Sequence, residues 1–281
     1  MILIVPLDGT EPARAAIPVA RTLAQVEGAT LHVLHVAASA IPPAQLLTEL
    51  GLTGEETRGA VVAALTGVPN EVILAHAAAA TGSMIVMCMH TSADRPGVLL
   101  GSVARAVVQS QSSPVVLVPP SRGQRPWALQ QILLPHDGLP TTAAVLRHAS
   151  ELADRARAEL AVLHVATATA VGEGLPGTLA GPRYVDQPQH EWPSWAQEFV
   201  QRARAVGAIR ESVRMRLFFA FGETAPTIAE FAANQDTDLV VVPTFAGSGP
   251  ALAGTTLEQV LIKVPCPVLV LPVDDLPGIE G

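Results

Sequence analysis

The feature that most constrains this chain is that it is written twice. Ile132-Leu133-Leu134-Pro135-His136-Asp137-Gly138 mirrors residues 3–9, and Val-Leu-His-Val occurs at residues 33–36 and again at 162–165. Both pairs lie 129 residues apart. Farther along the offset becomes 155, from Gly67 to Gly222 and from Met87 to Val242, and then 153, from Gly101 to Gly254 and from Pro114 to Pro267. A repeat of this length is a duplicated folding unit, not a solenoid motif. The jump in offset places an insertion in the second unit, and the Gly- and Pro-rich stretch 167–190 is where it belongs. Paired prolines at Pro119-Pro120, followed by Pro126, stiffen a linker. The expected units are therefore 1–120 and 127–274, within a chain of 281 residues.

Each unit alternates short apolar runs with segments of helical period. In the first unit the runs are residues 2–5, 31–36, 60–65, 84–89 and 115–118. Ile17, Ala20, Leu23 and Ala24 trace one helical face, with Pro12 at the helix start and Gly28 closing it. One short helix is expected within residues 41–58, and another after Gly67-Val68-Pro69 carrying Val72, Ile73, Ala77 and Ala80. Strands that alternate with helices imply a parallel sheet with right-handed crossovers. In such sheets ligands sit beyond the carboxyl ends of the strands, at the switch point between strands one and four.

The stretch 83–119 concentrates the chemistry. The strand Met84-Ile85-Val86-Met87-Cys88-Met89 runs into a polar loop and then into Gly101-Ser102, where a helix carrying Val103, Val107 and Val108 begins. The unpaired N–H groups at a helix start make an anion site, and glycine lets a phosphate approach closely. This stretch resembles the nucleotide loop of the universal stress protein family, whose pattern is Gly, two residues, Gly, nine residues, then Gly-Ser or Gly-Thr. Here it reads Cys88-Met89-His90-Thr91, nine residues, Gly101-Ser102. The spacing and the final pair are kept, while both leading glycines are replaced.

The resemblance implies two tandem doubly wound α/β domains, each with a five-stranded parallel sheet in the order 3-2-1-4-5, of the adenine nucleotide alpha hydrolase-like kind. It implies an adenine nucleotide, ATP or another, with Mg2+ as its companion ion. In the first unit it marks Pro6, Asp8, Val36, Met87, Cys88, His90, Thr91, Gly101, Ser102 and Val103. In the second it marks Asp137, Val165, Gly254, Thr255 and Thr256. It further implies a non-catalytic stress or regulatory module whose halves pair through their fifth strands, with homo-oligomers a further expectation.

These residues also have plainer readings. Asp8-Gly9 and Asp137-Gly138 suit a strand-ending turn, and Ser102 and Thr255 suit helix caps. In the second unit Pro243 lacks an N–H to offer a ligand, and only seven residues separate Ala246 from Gly254. Cys88 reads as a small buried hydrophobe. His32 and His35, three apart on a strand, point to opposite faces and cannot share a metal. The stretch 190–206, with Trp192, Trp195 and Phe199, reads as a helix packing over the second sheet.

Composition closes off other classes. With 17 Lys plus Arg against 25 Asp plus Glu, and Lys263 the single lysine, the chain lacks the basic surface that nucleic acid needs. Hydrophobic residues make up 49%, enough for two cores. The two cysteines, Cys88 and Cys266, form neither a disulfide framework nor a zinc motif. No apolar run reaches membrane-spanning length, and Met1 is followed directly by strand residues, so the expected location is the cytoplasm. Gly172-x-Gly174-x-x-Gly177 sits in the insertion and is a false match to a dinucleotide loop. No Walker A pattern and no nucleophile elbow is present, and nothing pairs a nucleophile with a base. Two rivals to the nucleotide module remain: a nucleotide-free interaction protein of the same fold, and a slow ATPase.

Overall fold

The structure, a computed structural model, describes residues 1–89, 100–110, 112–136, 140–166, 200–201, 203–204, 208–245 and 255–273. The first half contains β1 (Ile2–Leu7), α1 (Ala16–Glu27), β2 (Thr30–Ala37), α2 (Pro43–Glu49), β3 (Val61–Thr66), α3 (Pro69–Ala78), β4 (Ser83–Cys88), α4 (Ser102–Ser110) and β5 (Val115–Val118). The second half contains β6 (Gln131–Pro135), α5 (Pro140–Ala156), β7 (Glu159–Ala166), β8 (Met215–Phe221), α6 (Thr224–Asn234), β9 (Leu239–Phe245), α7 (Thr256–Lys263) and β10 (Val268–Val273). Local sequence explains the punctuation. Pro12 opens a 3-10 turn ahead of α1, and Gly28 ends α1 in the left-handed conformation at φ 61°.

Each half has the strand order 3-2-1-4-5, and both belong to one sheet of ten strands, β3-β2-β1-β4-β5-β10-β9-β6-β7-β8. Every pairing within a half is parallel, and β5 and β10 meet antiparallel. The register there pairs Val116 with Leu269, flanked by Leu117 with Val268 and Val115 with Val270. Val116 and Leu269 are 153 residues apart, the offset of the repeat itself. The halves therefore join at equivalent positions, as two copies do across a twofold. The eight side chains of residues 115–118 and 268–271 are all buried. Fifth strands that would be apolar edges in separate units are interior here, and the sheet ends instead on β3 and β8.

Two apolar layers sandwich the sheet. Leu3, Val5, Val33, Val86 and Val116 face α1 and, across the join, Leu134, Val162 and Leu269 face α5. Ile4, Leu34, Ile85, Leu117 and their counterparts Leu133, Leu163 and Val270 face α3, α4, α6 and α7. Strands buried on both faces account for their near-continuous apolar composition.

One boundary differs from the sequence reading. Pro243-Thr244-Phe245 is strand, not the beginning of a loop. β10 is longer than β5 and carries β9 with it, pairing Leu271, Pro272 and Val273 with those three residues. The second loop is thereby shortened further.

Candidate functional site

A cleft opens in the first half at the carboxyl ends of β1 and β4, the switch point of its sheet. Its volume is ≈ 120 Å3. Leu34 and Val36 of β2, Met87 and Cys88 of β4, and Ile73 of α3 give it apolar walls, Val103 closes it from α4, and Pro6 and Asp8 form its rim. Among the described residues that line it, Asp8 is the one carboxylate.

Asp8 makes the turn contacts expected of it and lines the cleft. Its Oδ1 accepts a hydrogen bond from the Thr10 backbone N–H at 3.0 Å and one from the Thr10 hydroxyl at 2.7 Å, which shapes the turn after β1. The same side chain stands at the cleft. Gly9 follows at φ +85°, and a Cβ there would lie 3.1 Å from the Glu49 carbonyl oxygen, so only glycine fits without strain. His35 fixes the strand end from the other side: its Nδ1–H donates to the Leu7 carbonyl at 2.7 Å. The second half repeats this bond, with His164 Nδ1–H donating to the His136 carbonyl at 2.9 Å.

Cys88 is buried, and burial together with the Asp8 carboxylate pushes its thiol up to about 12. It stays protonated across the physiological range and presents an inert apolar atom to the cleft. Cys266 behaves alike, pushed to about 12 chiefly by burial.

At the start of α4, Gly101 holds the N-cap position, its carbonyl accepting from the Arg105 N–H at 2.9 Å, and Ser102 is the first helical residue. In the second half Thr255 is the N-cap of α7, and its hydroxyl accepts from the Glu258 N–H at 3.2 Å. The capping reading therefore holds for Thr255, and Thr256 opens the helix. Val165 lies in β7, half-buried, as Val36 does in β2. His90, Thr91, Asp137 and Gly254 lie outside the described residues, as do the stretch 167–190, Trp192, Trp195 and Phe199.

The structure thus gathers Pro6, Asp8, Val36, Met87, Cys88 and Val103 at one cleft, with Gly101-Ser102 heading the helix that closes it. Sequence reasoning missed Leu34, Pro69 and Ile73. Leu34 was within reach, because it shares a strand face with Val36, two residues on. Pro69 and Ile73 join the cleft only through the crossover that lays α3 against β2. Also missed was the ion pair of Arg105 with Glu258 at 3.3 Å, which links α4 to α7 across the join. Those two residues stand 153 apart, so they too are equivalent positions. Among the described residues no group of three or more His, Cys, Asp or Glu gathers to hold a metal ion, and no helix is long and apolar enough to cross a membrane.

Comparison with known proteins decides the family. The model of the universal stress protein family matches residues 44–119 and 128–272. The chain belongs to the universal stress protein family. It carries that family's unit twice, and the fold is the adenine nucleotide alpha hydrolase-like one. A universal stress protein from Archaeoglobus fulgidus is 16% identical, with 96% of this chain and 98% of that chain covered and a TM-score of 0.63. A protein of unknown function from Pseudomonas aeruginosa PAO1 is 21% identical over 97% of this chain and 92% of its own, at a TM-score of 0.66. A universal stress protein solved in complex with cAMP is 20% identical, covers 53% of this chain and 99% of its own, and has a TM-score of 0.37. No curated protein matches the chain.

Proposed function

We propose that this universal stress protein is a non-catalytic regulatory module that responds to an adenine nucleotide, bound in the cleft of the first half. The observation that carries the reading is the cleft itself: apolar walls, a single carboxylate at the rim, and a glycine-headed helix closing it. A flat base buries its faces against Val36, Leu34 and Met87, while Asp8 accepts hydrogen bonds from base or ribose. The N–H groups at Gly101-Ser102 face the phosphates, completed by His90 and Thr91 of the loop. Mg2+ would arrive with the phosphates, since among the described residues Asp8 is the only carboxylate lining the cleft.

In this reading the functional units are 1–120 and 127–274, and the join of β5 to β10 is an intramolecular pseudo-dimer. Asp137, Val165, Gly254, Thr255 and Thr256 would form the second site. That site is the weaker one, because β9 runs on to Phe245 and Thr255 already spends its hydroxyl as a cap. Ligand binding would stiffen the loop after β4 and alter a partner-binding face.

The test is nucleotide analysis of protein purified without added ligand, followed by calorimetric titration with ATP, AMP and GTP. Adenine-selective binding is expected. Absence of binding by any of the three would leave the interaction-protein reading, which the replaced glycines at Cys88 and Thr91 favour. Phosphate release with turnover would support an ATPase instead.

A further inference from the structure

The two halves fasten their equivalent helices to the sheet by different chemistry. In the first half His32 of β2 and His76 of α3 face one another, Nδ1 to Nε2 at 3.3 Å, with ring centroids 5.5 Å apart. Both rings are half-buried. In the second half the position of His32 is Ala161, at the 129 offset, and that of His76 is Phe231, at the 155 offset. Phe231 packs edge-on against Phe218 of β8, with centroids 4.8 Å apart. So α6 is held by a contact that no proton alters, and α3 by one between two titratable rings.

The helix held in this way is a wall of the cleft. Pro69 and Ile73 of α3 line it opposite Leu34 and Val36 of β2, the strand that carries His32. α3 turns few large groups to the core: its buried residues are Ile73 and Ala77, with Leu74 partly buried beside them. A second polar tie, from the Ser83 hydroxyl to the Ala77 carbonyl at 2.9 Å, does not titrate.

We propose that the His32–His76 pair is a pH-sensitive clamp on α3, which holds the cleft wall closed near neutrality and releases it in mild acid. The pair needs at least one neutral ring, because a nitrogen without a proton must accept from the other ring. With both rings charged, N–H faces N–H and two positive charges stand together. Other titratable groups do not take over the role. Glu71 of α3 is exposed, His35 of β2 lies on the opposite face and bonds the Leu7 carbonyl, Cys88 of β4 stays neutral, and Arg105 of α4 is paired with Glu258. β1 and β3 carry no ionisable side chain. Burial, and secondarily His76, hold the His32 ring below its ordinary 6.5. A lowered histidine value means the unfolded chain binds the proton more readily. The contribution is therefore full above 6.5 and is lost as pH falls through the lower folded value. The clamp stands apart from the nucleotide reading; only its consequence, weaker ligand binding in acid, rests on that reading.

Peptide-resolved hydrogen exchange on the full chain without ligand, at pH about 7.5 and about 5.5, tests the clamp itself. After correction for the intrinsic effect of pH on exchange, amides of α3 are expected to lose about tenfold in protection in acid. Those of α6 should be unchanged. His76→Gln, which keeps a neutral donor and acceptor and removes the second charge, should reduce the acid loss in α3 to the share that burial of His32 alone carries. The pair His32→Ala with His76→Phe, which copies the second half, should make α3 indifferent to pH. Unchanged α3 protection in the parent chain, or a full acid loss that persists in His76→Gln, would overturn the clamp. ATP titrations at the same two pH values then test the consequence separately: an intact clamp response with pH-independent binding would remove the nucleotide link alone.

Discussion

The two halves share one frame and differ at its working ends. β2 and β7 correspond residue for residue at the 129 offset, and β5 and β10 meet at the 153 offset. Yet β4 stops at Cys88 while β9 continues to Phe245, and α3 is tied by histidines where α6 is tied by phenylalanines. The difference teaches that the buried strands were constrained in both copies. Each is covered on two faces, so a change of size is felt by the helices on either side. The half-buried contacts that tie α3 and α6 to their strands had no such restraint.

The join is where the comparison breaks hardest. Val116 is fully buried on the line of equivalence, opposite Leu269. Val116→Asp would bury an uncompensated charge at a place both halves share, and should cost about 3–5 kcal/mol. Chemical denaturation will check this, and two transitions should replace one as the halves uncouple.

Asymmetry between the clefts comes next. Asp8→Ala should weaken ATP binding by about one to two decades, from the loss of a charge-assisted hydrogen bond of roughly 1.5–3 kcal/mol. Asp137→Ala should change it little. Calorimetry that finds equal losses, or loss only from the second variant, would show that the halves did not diverge in function.

The replaced glycines sharpen the same contrast. Restoring them with Cys88→Gly and Thr91→Gly should strengthen ATP binding by up to about one to two decades, because glycine takes up a positive φ without the roughly 1–3 kcal/mol that binding would have to impose on a β-branched residue. Adenosine should gain less, because the defect lies at the phosphates. Adding Gly101→Val should abolish the gain by blocking close phosphate approach.

The smallest effect belongs to Arg105 and Glu258. This pair is a third to a quarter exposed, so water screens it and its coupling should be about 0.2–1 kcal/mol. A double-mutant cycle with Arg105→Glu and Glu258→Arg will measure it. The exchanged pair should recover stability that each single change loses, which identical copies facing one another could not do.

The sequence by itself determined the duplication, the strand–helix alternation and the helix ends at Gly28 and Gly101. It did so because each is a local matter: backbone conformation, period, and spacing in one dimension. It also marked Pro6, Asp8, Val36, Met87, Cys88 and Val103, the residues that surround the cleft. Pairing of the fifth strands was an expectation of the family resemblance; the tertiary structure alone decided the antiparallel register, Val116 against Leu269, because nothing in Val115-Val116-Leu117-Val118 says which residue it will meet. It alone placed Pro69 and Ile73 at the cleft, His76 against His32 and Arg105 against Glu258. Each of these contacts depends on how a helix lies across the sheet, and that is set by packing over the whole core.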